Sequence, residues 1–483
     1  MVCMCTVMEG YDTILIPNFF AYPAFAQKYG SFDAGSGTYQ LNVVWQIALG
    51  TSATVGAFLG IIANGYLSSW YGPKKVLLGA LVALSFFISI TFVAPTVEVL
   101  YIGELLCGLP WGIFASTAPA YSSEIIPLPL RGYLTTYTNM CFIIGQLTAA
   151  GVLESLLFVK GSWSYRGAFV LQWAWPAFIF PILLFMPESP WHFVRSGDLE
   201  QARESLKRLQ SKSAPTDVNE RLEVISRTNA MEKSISSGTS YLACFRGTEL
   251  RRTEIACMAF AGQMFSGLSF ASNSTYFYQQ IGLSPKESYR LNLGGTGISL
   301  CATLFSWFFI MPYVGRRKIY LCGMISATIL LFLMGSLNVK ASQRPFAMAQ
   351  VAITLIWTFI FQLSIGQLGW AIPAEIGSTR LRQKTVCLAR NSYYLIDFFA
   401  KIIEPYFMNP MQLNLKGYTG FFWGITAFMT SVWTFFRLPE TKGRTYEELD
   451  ILFAKRVPAN QFSSYNIVAP LGIQKNRADG LEP

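Results

Sequence analysis

Asp198-Leu199-Glu200-Gln201-Ala202-Arg203-Glu204-Ser205-Leu206-Lys207-Arg208-Leu209 lies within the one long charged stretch of the chain, 187–252, and that stretch decides the architecture. Leu199, Ala202, Leu206 and Leu209 recur at helical spacing among the charges, which reads as an amphipathic helix. On either side lie long apolar runs broken only by short polar turns. A soluble helical bridge, or in the alternative an unstructured connector, therefore joins two membrane-embedded bundles.

Outward from the bridge, a spanning helix needs roughly 20 apolar residues. Suitable runs fall near 43–66, 76–95, 98–120, 133–157 and 167–186, then near 254–280, 289–311, 318–338, 346–372, 384–408 and 417–437. A shorter run at the N-terminus brings the expectation to twelve, an all-α membrane protein in two six-helix sets. That first span has only eight residues before Glu9, so either it is short or the gene product starts upstream. With 52% hydrophobic and 13% charged residues, the chain is not a soluble globular domain.

The two sets resemble each other. Trp70-Tyr71-Gly72-Pro73-Lys74-Lys75 matches Tyr313-Val314-Gly315-Arg316-Arg317-Lys318, and Glu124 with Arg131 matches Glu375 with Arg382. Pro187-Glu188-Ser189 closes the first half as Pro439-Glu440-Thr441 closes the second. Three matches in one order, at an offset of roughly 250 residues, indicate a duplicated unit. Duplicated membrane halves are the usual architecture of secondary transporters. The expected divisions are 1–187 and 253–438 for the pseudo-symmetric halves, 188–252 for a cytoplasmic helical linker and 439–483 for a cytoplasmic tail.

The net charge of +10 is placed by topology. Lys74, Lys75, Arg131, Arg316, Arg317, Lys318, Arg380, Arg382 and Lys384 sit in the short even-numbered loops, and the odd loops carry fewer. By the positive-inside rule both termini are cytoplasmic, and the basic charge implies no nucleic-acid partner. The nine cysteines have no metal-ligand spacing and read as small buried residues. No nucleophile–base set or nucleotide loop argues for an enzyme, and no cofactor is implied.

Three acids lie in apolar runs: Glu9 and Asp12, three apart on one helical face, and Glu104 in the fourth span. A mid-membrane charge costs on the order of 2.5–3.5 kcal/mol, so these acids either face a wet cavity and relay protons or sit at the interface. Gln146 in the fifth span offers two donors and an acceptor, suited to hydroxyl groups or to interhelical bonding. Asn273 reads as a cavity residue. Asn391, Tyr393 and Tyr394 are polar or aromatic candidates in the eleventh span, with lipid-facing aromatics as the competing reading.

Gly10-Tyr11-Asp12, Pro187-Glu188-Ser189-Pro190 and Pro439-Glu440-Thr441-Lys442-Gly443-Arg444 resemble the sugar porter branch of the major facilitator superfamily. Gly108-Leu109-Pro110-Trp111-Gly112 and Arg131-Gly132-Tyr133-Leu134-Thr135-Thr136-Tyr137 narrow the resemblance to fungal α-glucoside (maltose-type) proton symporters. The resemblance runs from Glu9 to about Phe453. It implies the major facilitator fold, a monomer in the lipid bilayer of the plasma membrane, and a small-molecule sugar and a proton as partners.

By that resemblance Asp12, helped by Glu9 and less by Glu104, is the protonation site, and Gln146, Gln263 and Asn273 are sugar contacts. Trp370 falls at the family's sugar-stacking tryptophan and Tyr393 near its polar sugar contact. Lys74, Lys75, Glu124, Arg131, Glu188, Arg316, Arg317, Glu375, Arg382 and Glu440 correspond to the cytoplasmic gate; topogenic charge alone is the competing reading. The sequence departs from the family at several points. Glu104 stands where many sugar porters carry an arginine, Met264 replaces a second glutamine, and Ser69 and Pro312 replace loop acids. A non-transporting sensor, an uncoupled facilitator and an inactive truncated product are the competing functions.

Overall fold

A computed structural model describes residues 4–33, 38–125, 128–210, 218–236, 241–340, 343–378, 381–444 and 446–465. The first half contains helices Met4–Phe19, Val43–Tyr71, Pro73–Val93, Val97–Ile125 and Leu128–Leu156, then a sixth span in two pieces, Trp163–Gln172 and Ala174–Phe185. The bridge holds Pro190–Ser196, Leu199–Leu209 and Val218–Ser236, so the charged stretch folds into several short helices. Asp198 caps the second of these by accepting from the Gln201 backbone N–H at 3.1 Å.

In the second half, Pro285–Phe305, Arg316–Leu337, Arg382–Met408 and Thr419–Arg437 form the eighth, ninth, eleventh and twelfth spans. The seventh is broken into Gly247–Phe265, Leu268–Ser272 and Ser274–Gln280, where the sequence pattern predicts one continuous helix. The break sits at Gly267, whose φ of 93° suits a residue without Cβ. The tenth span is likewise broken, into Arg344–Leu363 and Ile365–Ile376, with Ser364 at φ −130°, ψ −81°. The fourth span, its counterpart, runs unbroken.

Among the described residues, eight helices are long and apolar enough to cross a membrane. The first span falls short at 16 residues, and the eleventh carries Arg390, Asp397, Lys401 and Glu404. These polar residues face protein. Large apolar side chains such as Phe86, Phe178, Phe185, Phe308 and Phe436 face outward instead, as a lipid-embedded surface requires.

The duplication visible in sequence is repeated in packing. The first span lies on the fifth and the seventh on the eleventh; the second lies on the fourth and the eighth on the tenth. The halves meet where the second span touches the eleventh and the eighth touches the fifth. One element lies outside the all-helical expectation: Ser31–Asp33 pairs antiparallel with Thr38–Gln40 in the first loop. Phe32 and Tyr39 meet edge to face across this strand pair with ring centroids 5.4 Å apart.

Candidate functional site

Small residues set the depth of the site. A Cβ on Gly145 would lie 1.9 Å from the Val7 carbonyl oxygen, and one on Gly10 would lie 2.1 Å from that of Phe142. The first and fifth spans therefore touch backbone to backbone. This approach carries Glu9 and Asp12 into the interior, where Glu9, Asp12 and Glu104 are 5%, 3% and 3% exposed. Gln172 donates through Nε2 to Asp12 Oδ1 at 2.9 Å, whereas Asp12 Oδ2 is buried without a hydrogen bond. The buried Trp111 indole lies against Asp12, its Nε1 also unbonded, and Glu104 and Glu9 are both within electrostatic reach of Asp12.

The cation of the site is Arg390, which the sequence reading passed over. Its Nη2 lies 3.8 Å from Glu9 Oε1 and donates to the Tyr394 hydroxyl at 3.2 Å. The guanidinium sits 4.5 Å from the Trp370 ring centroid and 4.7 Å from those of Tyr393 and Tyr394. Such an aromatic cage stabilises a desolvated cation by about 2 kcal/mol or more. Arg390 pairs with Glu9, while Asp12 and Glu104 are buried with no cation paired to them among the described residues, so with all three acids ionised two negative charges lack a counter-charge. A proton on any of the three cancels one of them.

The residues expected to contact sugar divide into two groups. Trp370, Tyr393 and Tyr394 meet around Arg390, and neighbouring Asn391 has its Oδ1 buried and unbonded. Gln263 is buried and donates through Nε2 to the Gly366 carbonyl at 2.8 Å, satisfying backbone beside the break at Ser364. Gly369 leaves room for it, since a Cβ there would meet the Gln263 Nε2 at 2.2 Å. Gln146 is half-buried with no side-chain hydrogen bond among the described residues. Asn273, also half-buried, donates to the Ser269 carbonyl at 2.9 Å.

At the odd-loop end the halves are joined by a polar cluster that no motif in the chain foretells. Asn18 Oδ1 accepts from Thr275 Oγ1 at 2.6 Å and Asn292 Nδ2 at 3.1 Å, and its carbonyl accepts from the Tyr289 hydroxyl. Gln279 donates to the Ala21 carbonyl at 2.8 Å. A second cross-half set joins Thr54 to Asp397 at 3.0 Å, with Lys401 2.9 Å from both.

At the even-loop end the duplicated motifs form equivalent caps. Glu188 Oε1 accepts from the Lys74 backbone N–H at 3.0 Å, and Glu440 Oε1 from that of Arg316 at 2.7 Å. Glu440 Oε2 also accepts from the Arg317 N–H at 3.3 Å. Each carboxylate sits at the first turn of a spanning helix, the favourable end for negative charge. Arg316 Nε pairs with Glu375 at 3.4 Å, and Thr441 donates to the other Glu375 oxygen at 2.5 Å. These contacts lie within one half or the other. Lys75 is exposed, and the side chains of Glu124, Arg131 and Arg382 lie outside the described residues.

A family model described as "Sugar (and other) transporter" matches residues 1–453. The maltose permease MAL31 of Saccharomyces cerevisiae is 36% identical over 467 residues, covering 95% of this chain and 76% of the permease. A general alpha-glucoside permease of the same organism is 35% identical over 481 residues, 98% of this chain and 77% of its own length. The fold matches the major facilitator superfamily proton:xylose symporter XylE bound to 6-bromo-6-deoxy-D-glucose. The TM-score is 0.74 at 19% identity, over 94% of this chain and 97% of that one. A partially occluded inward-open structure of XylE from E. coli gives 0.74 at 18% identity, over 92% of this chain and 98% of that one.

Proposed function

This chain belongs to the sugar transporter family, and we propose from that premise that it takes up an α-glucoside such as maltose together with a proton by alternating access. Membership makes it a multi-pass membrane transporter rather than an enzyme. The observation that carries the coupling is the buried site in which Glu9 pairs with Arg390 while Asp12 and Glu104 have no cation partner among the described residues. Protonation, chiefly of Asp12, lowers the uncompensated charge before the halves rock. The aromatic and polar side chains around it supply the complementary sugar chemistry: Trp370 and Tyr393 a stacking surface, and Gln146, Gln263, Asn273, Asn391 and Tyr394 hydrogen bonds to hydroxyls.

In this reading 1–187 and 253–438 are the rocking halves, and 188–252 and 439–483 lie in the cytoplasm, where the basic even loops keep them. The protein works as a monomer in the plasma membrane. Lys74, Lys75, Glu124, Arg131, Glu188, Arg316, Arg317, Glu375, Arg382 and Glu440 form the cytoplasmic gate. Opening it requires the caps of Glu188 and Glu440 to loosen.

Uptake of radiolabelled maltose and glucose, at acid and neutral external pH in cells lacking their own sugar transporters, tests this. Maltose uptake that rises with acidity is the expected result. Surface-resident protein with no uptake of either sugar would overturn it.

A further inference from the structure

Far from the sugar site, Arg251, Arg317, Arg437 and Arg456 line a cavity of about 600 Å³. It lies at the even-loop end, between the seventh, ninth and twelfth spans and the terminal helix Tyr446–Ala454. Among the described residues only Arg437 has a hydrogen-bonded carboxylate there: its Nε donates to Glu254 Oε1 at 3.0 Å and its Nη2 to Oε2. Glu254 is further occupied by the Trp433 indole N–H at 3.0 Å. The other arginines donate to uncharged oxygens or to none. Arg317 reaches the Phe435 carbonyl at 2.6 Å, and Arg251 the Val457 carbonyl at 2.8 Å, leaving the Arg251 Nε buried and unbonded. Arg456 is exposed, has no side-chain partner among the described residues, and holds a φ of 52°. Arg251 is also within electrostatic reach of Glu254, so that one carboxylate serves two guanidinium groups, whereas the side chains of Arg317 and Arg456 have no carboxylate partner among the described residues. The backbone N–H groups at the first turn of the 19-residue helix Gly247–Phe265 add to this uncompensated positive charge.

Guanidinium forks match phosphate oxygens in shape and charge. The rim of the cavity is apolar: Phe435 and Phe436 are 54% and 68% exposed on the outward face of the twelfth span. We propose that this cavity binds a phosphate group, presented by the headgroup of an anionic membrane lipid whose acyl chains lie along Phe435 and Phe436. The proposal does not depend on which sugar is carried.

Native mass spectrometry of the purified full chain tests it, with phosphatidic acid, chain-matched phosphatidylcholine and soluble glycerol phosphate as probes. The wild type should retain phosphatidic acid about tenfold more tightly than phosphatidylcholine, the worth of one charge-assisted contact. R456Q should lose most of that preference, and R456E and R251Q/R456Q all of it. Arg456 has no side-chain contact to lose, so R456Q and R456E remain informative if the double variant fails to fold. An unchanged preference in R456Q and R456E would overturn the site. Glycerol phosphate displacing the lipid at equal concentration would overturn the lipid as source.

Discussion

Arg390 faces Glu9 across the seam between the halves, Nη2 to Oε1 at 3.8 Å, with Glu9 buried and the Arg390 side chain 13% exposed. The arginine stands on the eleventh span and the acid on the first, so the ion pair links one half to the other. Removing one member of such a pair leaves the other buried and unpaired.

R390Q should therefore destabilise the protein by about 3–5 kcal/mol, E9Q by less, and E9Q/R390Q by less than R390Q alone. Thermal unfolding of the purified variants measures this. Strictly additive effects would show that the two side chains act independently.

D12N keeps an oxygen for Gln172 but cannot take up or release a proton. Accumulation against a gradient should vanish and the acid stimulation with it, while exchange of labelled for unlabelled sugar continues. Both fluxes, followed from acid to neutral external pH, check this; acid-stimulated accumulation in D12N would remove Asp12 from the coupling.

Gly145→Ala forces its methyl group into the Val7 carbonyl and should cost about 1–3 kcal/mol or more. Gly151→Ala, on the same helix, meets nothing closer than Leu293 at 3.8 Å and should be nearly neutral. Unfolding temperatures of the two variants compare them directly; equal values would mean the first and fifth spans can move apart freely.

Asn18→Ala deletes two side-chain hydrogen bonds to the second half, each worth about 1 kcal/mol. The odd-loop end should open more often, raising amide exchange across Ser274–Gln280 while leaving Pro73–Val93 unchanged. Hydrogen-exchange mass spectrometry resolves the two segments, and an equal rise in both would mean a general loss of stability instead.

Much of this was readable from the chain. The apolar runs announced the spans, and the paired Pro-Glu motifs announced the duplication, which recurs as the Glu188 and Glu440 caps. Glu9, Asp12 and Glu104 stood out because acids are rare in apolar runs, and the fold gathers them. Arg390 lies inside the expected span 384–408 but only a few residues past the loop charges Arg380, Arg382 and Lys384, and nothing local shows that it is the partner of an acid in the first span; the packing of the seventh span on the eleventh encloses it. Asn18, after Pro17, reads as a helix end, and nothing local marks it as a partner for Thr275. Gln263 was legible as a polar side chain in a span, and Gly366 and Gly369 allowed a close helix approach or a local break nearby, but the bond of Gln263 to the Gly366 carbonyl depends on how the seventh span packs against that break.

The break at Ser364 has no equal in the fourth span, the counterpart of the tenth, which is continuous from Val97 to Ile125. The fourth and tenth spans, which hold equivalent places in the two repeats, thus differ in stiffness. A jointed rod bends through a few dihedral angles at its joints, whereas an unbroken rod of the same length must swing as one piece. The ancestral symmetry survives in outline and is lost in mechanics.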